Sequence, residues 1–286
     1  MEQEKRIGAL RVFAEEIRLE TLRELGHLGF GHIGGAMSVV ELLAVLYGAE
    51  MRYDPKNPAW ADRDWLVMSK GHAGPALYAT LALKGFFPKD MLLTLNQGGT
   101  RLPSHCDRNQ TPGVDMTTGS LGQGISLAVG VALGHRMAGK DNRTYLVLGD
   151  GECNEGQIWE GAMSAAQFRL DRLTAFVDAN KQQLDGWVKE VMDTGDIAEK
   201  FAAFGWSAQT VNGHDVGAVL AAVNKAKAET GRPSVIVLDT VKGNGCSFAA
   251  GKDGNHHMAF TKEQMDPEIA AAQARLDEAR LALQNA

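Results

Sequence analysis

Two oxygen-bearing side chains stand where they can share one cation. Asp150 lies in Gly149-Asp150-Gly151, just after the apolar run at residues 145–148, and Asn180 follows a second apolar run at 173–177. A helical pattern over residues 156–168 separates the runs, so each side chain would end a strand, the two strands being joined by one crossover. A carboxylate and an amide oxygen suit a hard cation such as Mg2+, which prefers octahedral oxygen ligands and commonly adds phosphate oxygens. The backbone carbonyl of Gln182 is a candidate third protein ligand. The glycines flanking Asp150 would let a diphosphate approach the backbone and the following helix N-terminus closely. Gly-Asp-Gly alone marks only a tight turn after a strand; the spacing to Asn180 carries the reading. Asp178 and Asp185 flank Asn180 like paired carboxylates for acid–base work, but Asp178 is read as a support of the loop and neither is counted as catalytic.

Histidines punctuate several polar, glycine-rich segments. His32 lies in Gly31-His32-Ile33-Gly34-Gly35, His72 in Ser69-Lys70-Gly71-His72-Ala73, and His105 in Leu102-Pro103-Ser104-His105. His256 lies in Asp253-Gly254-Asn255-His256-His257. Imidazoles donate and accept hydrogen bonds and titrate near neutral pH, which suits proton transfer and the recognition of hydroxyl groups. A lone histidine in such a loop is more often a turn or core residue. His27, His135 and His214 lack comparable surroundings and are read as structural or solvent-facing.

The elements that must position these groups are legible in the hydrophobic pattern. Residues 7–28 carry apolar side chains at helical spacing (Leu10, Phe13, Ile17, Leu22, Leu25) between charges. Ser38 is a candidate N-cap, with Glu41 at the third position of a helix running to about Tyr47. Residues 64–68 read as a short buried strand, and Gly74-Pro75 opens another helix. Further strands are expected at 145–148, 173–177, 206–211 and 235–238, with apolar helix at 125–137. Strands alternating with helices predict a doubly wound parallel sheet with helices on both faces, whose ligands bind at the carboxyl ends of the strands. The whole chain, 1–286, reads as one domain with an Ala-, Leu- and Glu-rich helical tail from about 262.

Taken in order, these segments are similar to those of the transketolase family over about residues 10–260. Besides the histidine loops, the similarity rests on Thr117-Thr118-Gly119-Ser120-Leu121-Gly122-Gln123-Gly124, on Gly149 to Asn180, and on Val241-Lys242-Gly243-Asn244-Gly245. The metal segment resembles the thiamine-diphosphate motif, with Ala179 in place of the first of its two asparagines. The resemblance implies the diphosphate-type thiamine-diphosphate-binding fold, with Asp150, Asn180 and Gln182 holding Mg2+ (Ca2+ or Mn2+ substituting). It implies that His72 contacts the diphosphate, and that Gly119, Ser120 and Leu121 line the ring portions of the cofactor, with Gly151 and Asn180 beside it. Ser120 departs from the proline common at its position. His32 and His105 would contact the sugar donor near its reacting groups, and His256 would reach both cofactor and substrate as a proton-transfer residue. The late segment departs from the usual Trp-His-Gly or Val-His-Gly pattern, so His257 is the alternative alignment to His256. Glu155 matches an acidic residue of the family's subunit interface, and reads equally as a first-turn glutamate stabilised by the helix dipole.

Composition narrows the setting. A net charge of −6 argues against nucleic acid, whose binding needs a basic face. Three widely spaced cysteines form neither a disulfide framework nor a metal pair, so a reducing cytoplasm is expected. No secretory signal or membrane-length apolar run is apparent. Transketolases complete their site with a pyrimidine-binding domain whose glutamate activates the cofactor, and this chain is expected to be the N-terminal subunit of a split enzyme. The expected partner is a C-terminal subunit carrying that domain, in an α2β2 heterotetramer that transfers a two-carbon ketol unit from a ketose phosphate or related sugar to an aldose, with a pentose phosphate, a branched sugar phosphate and a sulfo-sugar all open as donors. The competing expectations are the α subunit of a thiamine-dependent 2-oxoacid dehydrogenase, a relative of 1-deoxyxylulose-5-phosphate synthase, and a non-catalytic cofactor-binding subunit.

Overall fold

A computed structural model describes residues 1–184 and 186–286. Helix α1 (Glu2–Leu28) buries Leu10, Phe13, Ile17, Leu22 and Leu25 along one stripe, and Gly29, at φ 82°, ends it by returning its N–H to the Leu25 carbonyl. Strand β1 (Phe30–Gly31) leads into the short helices α2 (Ile33–Met37) and α3 (Val40–Val45), the latter continuing as a π turn over Leu46–Glu50. The expected Ser38 cap is not made, because Val39 is the residue that precedes α3. Buried Ser38 instead donates its hydroxyl to Asp178 at 2.7 Å, across the end of the sheet. A strong local capping signal has yielded to a buried carboxylate that needs donors.

The chain continues through β2 (Trp65–Met68), α4 (Gly74–Leu83, with Pro75 in its first turn), α5 (Gln123–Met137), β3 (Thr144–Gly149), α6 (Gly156–Gln167) and β4 (Leu173–Ala179). A small ribbon, β5 (Gln182–Gln183) and β6 (Gly186–Trp187), precedes α7 (Val188–Val191) and α8 (Ile197–Ala203). Then come β7 (Ser207–Asn212), α9 (Val216–Ala228, capped by Asp215), β8 (Ser234–Asp239), β9 (Met258–Ala259) and α10 (Lys262–Gln284). Thr261 and Gln264 form a capping box at the start of α10.

Strands β2, β3, β4, β8 and β7, in that spatial order, form one five-stranded sheet, and every pair in it is parallel. Alternate residues feed two cores. Tyr145 and Val147 join Phe176, Ile236 and Leu238 under α1, α3, α4 and α9. Leu146 and Leu148 join Ala175, Val177 and Val235 under α5, α6 and α8. Both faces are therefore covered, as an all-parallel sheet requires. Helix α10 runs antiparallel along α1: Gly26 abuts Met265 and Ile269, and Gly8 abuts Leu283. No helix among the described residues is long and apolar enough to cross a membrane.

Because the strands are parallel, their carboxyl ends lie along one edge of the sheet. Ser69 to His72 follow β2, Asp150 follows β3, Asn180 follows β4, His214 lies just past β7, and Thr240 to Lys242 follow β8.

Candidate active site at the carboxyl edge of the sheet

The centre of this edge is a buried ion pair between Lys70 and Asp178, whose side chains are 1% and 0% exposed. Asp178 also accepts from Ser38, from the Thr240 hydroxyl and, at 2.8 Å, from Asn180 Nδ2. Burial alone would raise its pKa, but Lys70 and these donors hold it below the ordinary carboxylate range. The bond to Asn180 settles the orientation of that amide. Its Oδ1 accepts the Gln182 N–H at 3.0 Å and keeps a lone pair for a cation. Asp178 is thus the support of the Asn180 loop; Asp185 lies outside the described residues.

Asp150 is 4% exposed and accepts backbone N–H groups from Gly151 and Lys181, which fasten it to the Asn180 loop. Burial, with the charge of Asp178, pushes its carboxyl up to about 7. A buried carboxylate in that condition is stabilised in its ionised form by a divalent cation. The Gln182 side chain is already engaged, donating to the Lys252 carbonyl and accepting from Asn255 at 3.1 Å, which leaves its backbone for a ligand role. Gly151 begins a 3-10 turn, Gly151–Asn154, so α6 starts one turn later than a direct strand-to-helix junction would place it.

Four separate loops bring five imidazoles together. The ring of His32 lies 5.8 Å from that of His72, 5.0 Å from His105, 5.4 Å from His256 and 4.6 Å from His257. His72 and His256 are 4.6 Å apart. Glycines permit this convergence. A Cβ on Gly35 would sit 2.6 Å from the His72 ring, and one on Gly119, at φ 136°, would sit 3.1 Å from the ring of His105. Burial lowers the pKa of His32 to about 3 and of His256 to about 4, with neighbouring histidines and Lys242 adding to the effect. His72 and His105 are also lowered, chiefly by burial. These four rings are neutral at pH 7, each able to donate from one nitrogen and accept at the other.

His256 lies on the inner side of the cluster, against His72, whereas exposed His257 leans on Phe30 at the outer side, ring centroids 5.8 Å apart. Ser120 and Leu121 are exposed at the rim, Leu121 by 38%. Glu155 is also exposed; it sits at the N-cap position of α6, one place before the first turn, and makes no capping bond. Its Cβ would meet a side chain placed at Gly122, so the two loops are in close contact.

Several residues of this edge escaped the sequence reading as site residues. Lys242 is 2% exposed, its ammonium 3.3 Å from His256 Nδ1, and among the described residues no carboxylate pairs with it. Burial and the charge of Lys70 lower its pKa to about 8. Glu152 gathers three loops, accepting from the Ser69 hydroxyl and from the N–H groups of Gly122 and Gly149. Asn255 bonds Gln182 and the Lys242 and Ala249 carbonyls. Only their placement within family-like segments marked them; burial and partners separated by 30 or more positions, such as Gly122 and Glu152, leave no local pattern.

A carboxylate, an amide oxygen and a backbone carbonyl, near a buried ammonium with no carboxylate partner among the described residues, are a donor set that suits a cation-bound diphosphate. The neutral imidazoles next to it can each donate and accept hydrogen bonds, as hydroxyl groups require. The residues present fit both groups.

Residues 10–277 match the family described as transketolase, thiamine diphosphate binding domain. The chain is 52% identical to a 6-deoxy-6-sulfo-D-fructose transketolase subunit of Clostridium sp. (strain MSTE9), over 90% of this chain and 94% of that one. It is 36% identical to one of the subunits of an apulose-4-phosphate transketolase of Phocaeicola vulgatus, over 86% and 88% of the two chains. A crystal structure of transketolase from Pichia stipitis superposes with a TM-score of 0.85 at 29% identity, covering 97% of this chain. The chain spans less than half, 45%, of that structure's length.

Proposed function

Because the chain belongs to the transketolase family, as its thiamine diphosphate binding domain, we propose that it is one subunit of a two-chain transketolase. It acts with Mg2+ in the cytoplasm, transferring a two-carbon ketol unit from a ketose with an anionic terminus to an aldose. The observation that carries this reading is the meeting of the neutral histidine cluster with the Asp150–Asn180 pair at one sheet edge. The two-chain organisation draws on relatives of nearly the same length that are named as subunits. The whole chain is read as one diphosphate-type domain, completed by a partner subunit with a pyrimidine-type domain and its activating glutamate, in an α2β2 assembly.

In this reading Asp150, Asn180 Oδ1 and the Gln182 carbonyl hold Mg2+. His72 and Lys242 face the diphosphate, where the ammonium gains the counter-charge its burial demands. Gly119, Ser120 and Leu121 lie along the ring portion, Gly151 beside the metal, and Glu155 at the subunit contact. When bound, thiamine diphosphate supplies a nucleophilic carbon and an electron sink for breaking the ketose C–C bond. His32 and His105 orient the donor's hydroxyl and carbonyl groups. His256, with Lys242 beside its Nδ1, takes or returns the hydroxyl proton as that bond breaks or forms.

The first donor to test is 6-deoxy-6-sulfo-D-fructose, the sugar in the name of the 52%-identical relative. Removing two carbons from a six-carbon sulfo-ketose leaves a four-carbon sulfo-aldose, which mass spectrometry identifies directly. The chain and its partner, with cofactor and Mg2+, should form that product and pass the ketol unit to an aldose phosphate. Phosphorylated ketoses, including apulose 4-phosphate, form the comparison set. Transfer at a normal rate by this chain alone would overturn the two-chain reading. Failure of the pair on every ketose donor would overturn the activity.

A further inference from the structure

His214 falls outside the histidine cluster, yet its ring joins two parts of the molecule that bear on the site. Nε2 accepts the Val241 N–H at 2.8 Å. A neutral imidazole accepting there carries its proton on Nδ1, which lies 3.4 Å from Glu41 Oε2. Glu41 is a firm anchor: it is buried and ion-paired with buried Arg18.

The segment held in this way is the one that carries Lys242. Directly after Val241, the Lys242 ammonium reaches His256 Nδ1. The next residue, Gly243, donates its N–H to the Gly34 carbonyl at 2.9 Å, and Gly34 donates to the Asn255 carbonyl at 3.0 Å. A shift of this loop therefore moves Lys242 and disturbs the backbone next to both His256 and the His32 turn. Val241 itself is 42% exposed, so water can replace the imidazole as partner of its N–H. Loss of the ring should leave the fold standing while freeing the loop.

We propose that His214, oriented by Glu41, is a positioning residue: by accepting the Val241 N–H it fixes the 241–245 loop and sets where Lys242 presents its ammonium to His256 and the cofactor diphosphate. This rests on the assignment of that loop to the cofactor site. His214→Phe keeps a planar ring without an acceptor, whereas His214→Gln returns an acceptor oxygen near the place of Nε2. In the full chain, amide exchange at Val241 should be about tenfold faster in His214→Phe, as expected for loss of one hydrogen bond. Assembled with the partner subunit, His214→Phe should bind thiamine diphosphate with Mg2+ about tenfold more weakly. His214→Gln should recover most of both properties, and both variants should stay folded, with His214→Phe melting only slightly lower because buried Glu41 loses one partner.

Unchanged exchange at Val241 would overturn the latch. Faster exchange with unchanged cofactor affinity would show that the latch positions nothing of consequence. Equal weakening in both variants with a lowered melting temperature would reduce His214 to a structural residue. A wild-type complex that binds no thiamine diphosphate would sink the proposed function and this inference with it. Wild-type binding matched by His214→Phe would sink the inference alone.

Discussion

Replacing Lys70 with methionine tests whether the centre of the site is electrostatically sealed. Methionine keeps most of the side-chain volume, so the change removes charge and donors rather than packing. In the native chain Asp178 accepts from Lys70, Ser38, Thr240 and Asn180, and both members of the ion pair are essentially inaccessible to water. Without Lys70 three neutral donors remain around an anion that has lost its counter-charge. Breaking a buried pair from one side costs about 3–5 kcal/mol. For a chain of this size that lowers the melting temperature by roughly 5–15 °C. The pH dependence gives the test its specificity. In the native chain the depressed Asp178 contributes stability above the ordinary carboxylate value, lost as pH falls through its lower folded value. In the variant the uncompensated carboxylate rises instead, so its folded state is penalised more as pH increases. The gap between the proteins should therefore be widest at pH 8 and narrow toward pH 5. Lys70→Met/Asp178→Asn, which removes both charges, should be more stable than Lys70→Met alone. Denaturant titrations followed by circular dichroism at both pH values decide the matter. A cost below about 1 kcal/mol, or the same cost at pH 5 and pH 8, would show that water reaches the pair and refute the reasoning.

Four further outcomes are expected. Asp150 is raised to about 7, so its contribution to stability is present below the ordinary carboxylate value and lost as pH rises through about 7. Mg2+ with thiamine diphosphate should accordingly raise the melting temperature more at pH 8 than at pH 6, and Asp150→Asn should abolish the increment; equal increments at both pH values would contradict the metal assignment. Lys242→Met should weaken binding of thiamine diphosphate with Mg2+, read by calorimetry on the two-chain complex, by about 10–100-fold without loss of thermal stability. Glu24 is 1% exposed, and among the described residues neither of its carboxylate oxygens has a partner; burial, then Glu20, raises it well above its ordinary value. Its contribution falls as pH rises, so Glu24→Met should stabilise by about 1–3 kcal/mol at pH 8 and by less near pH 5, measured by urea unfolding. A Cβ on Gly34 would lie 2.4 Å from the Asn255 carbonyl oxygen, and Gly34→Ala should cost about 1–3 kcal/mol in the same assay; a neutral result would mean that the 253–257 loop yields freely.

Much of the fold was legible because strands and helices impress a local period on the sequence. The apolar runs at 145–148 and 173–177 became Thr144–Gly149 and Leu173–Ala179, each longer than its apolar kernel because the backbone of Thr144, Gly149, Asp178 and Ala179 still joins the ladder whatever the side chain. Ser38 went the other way. Its spacing to Glu41 described a cap, but its hydroxyl serves Asp178, 140 positions away.

By itself the sequence determined the alternation of strands and helices, the ends at which Asp150 and Asn180 stand, and the polar loops that carry the histidines. These follow from periodicity and from motifs, which are properties of neighbouring residues. Only the tertiary structure decided that five imidazoles meet, that Lys242 is buried without a carboxylate among the described residues, and that His214 holds Val241 rather than facing solvent. The physical reason is the parallel sheet. It gathers the carboxyl ends of strands far apart in the chain onto one edge, and there burial and charge, which no local pattern encodes, set what each side chain can do.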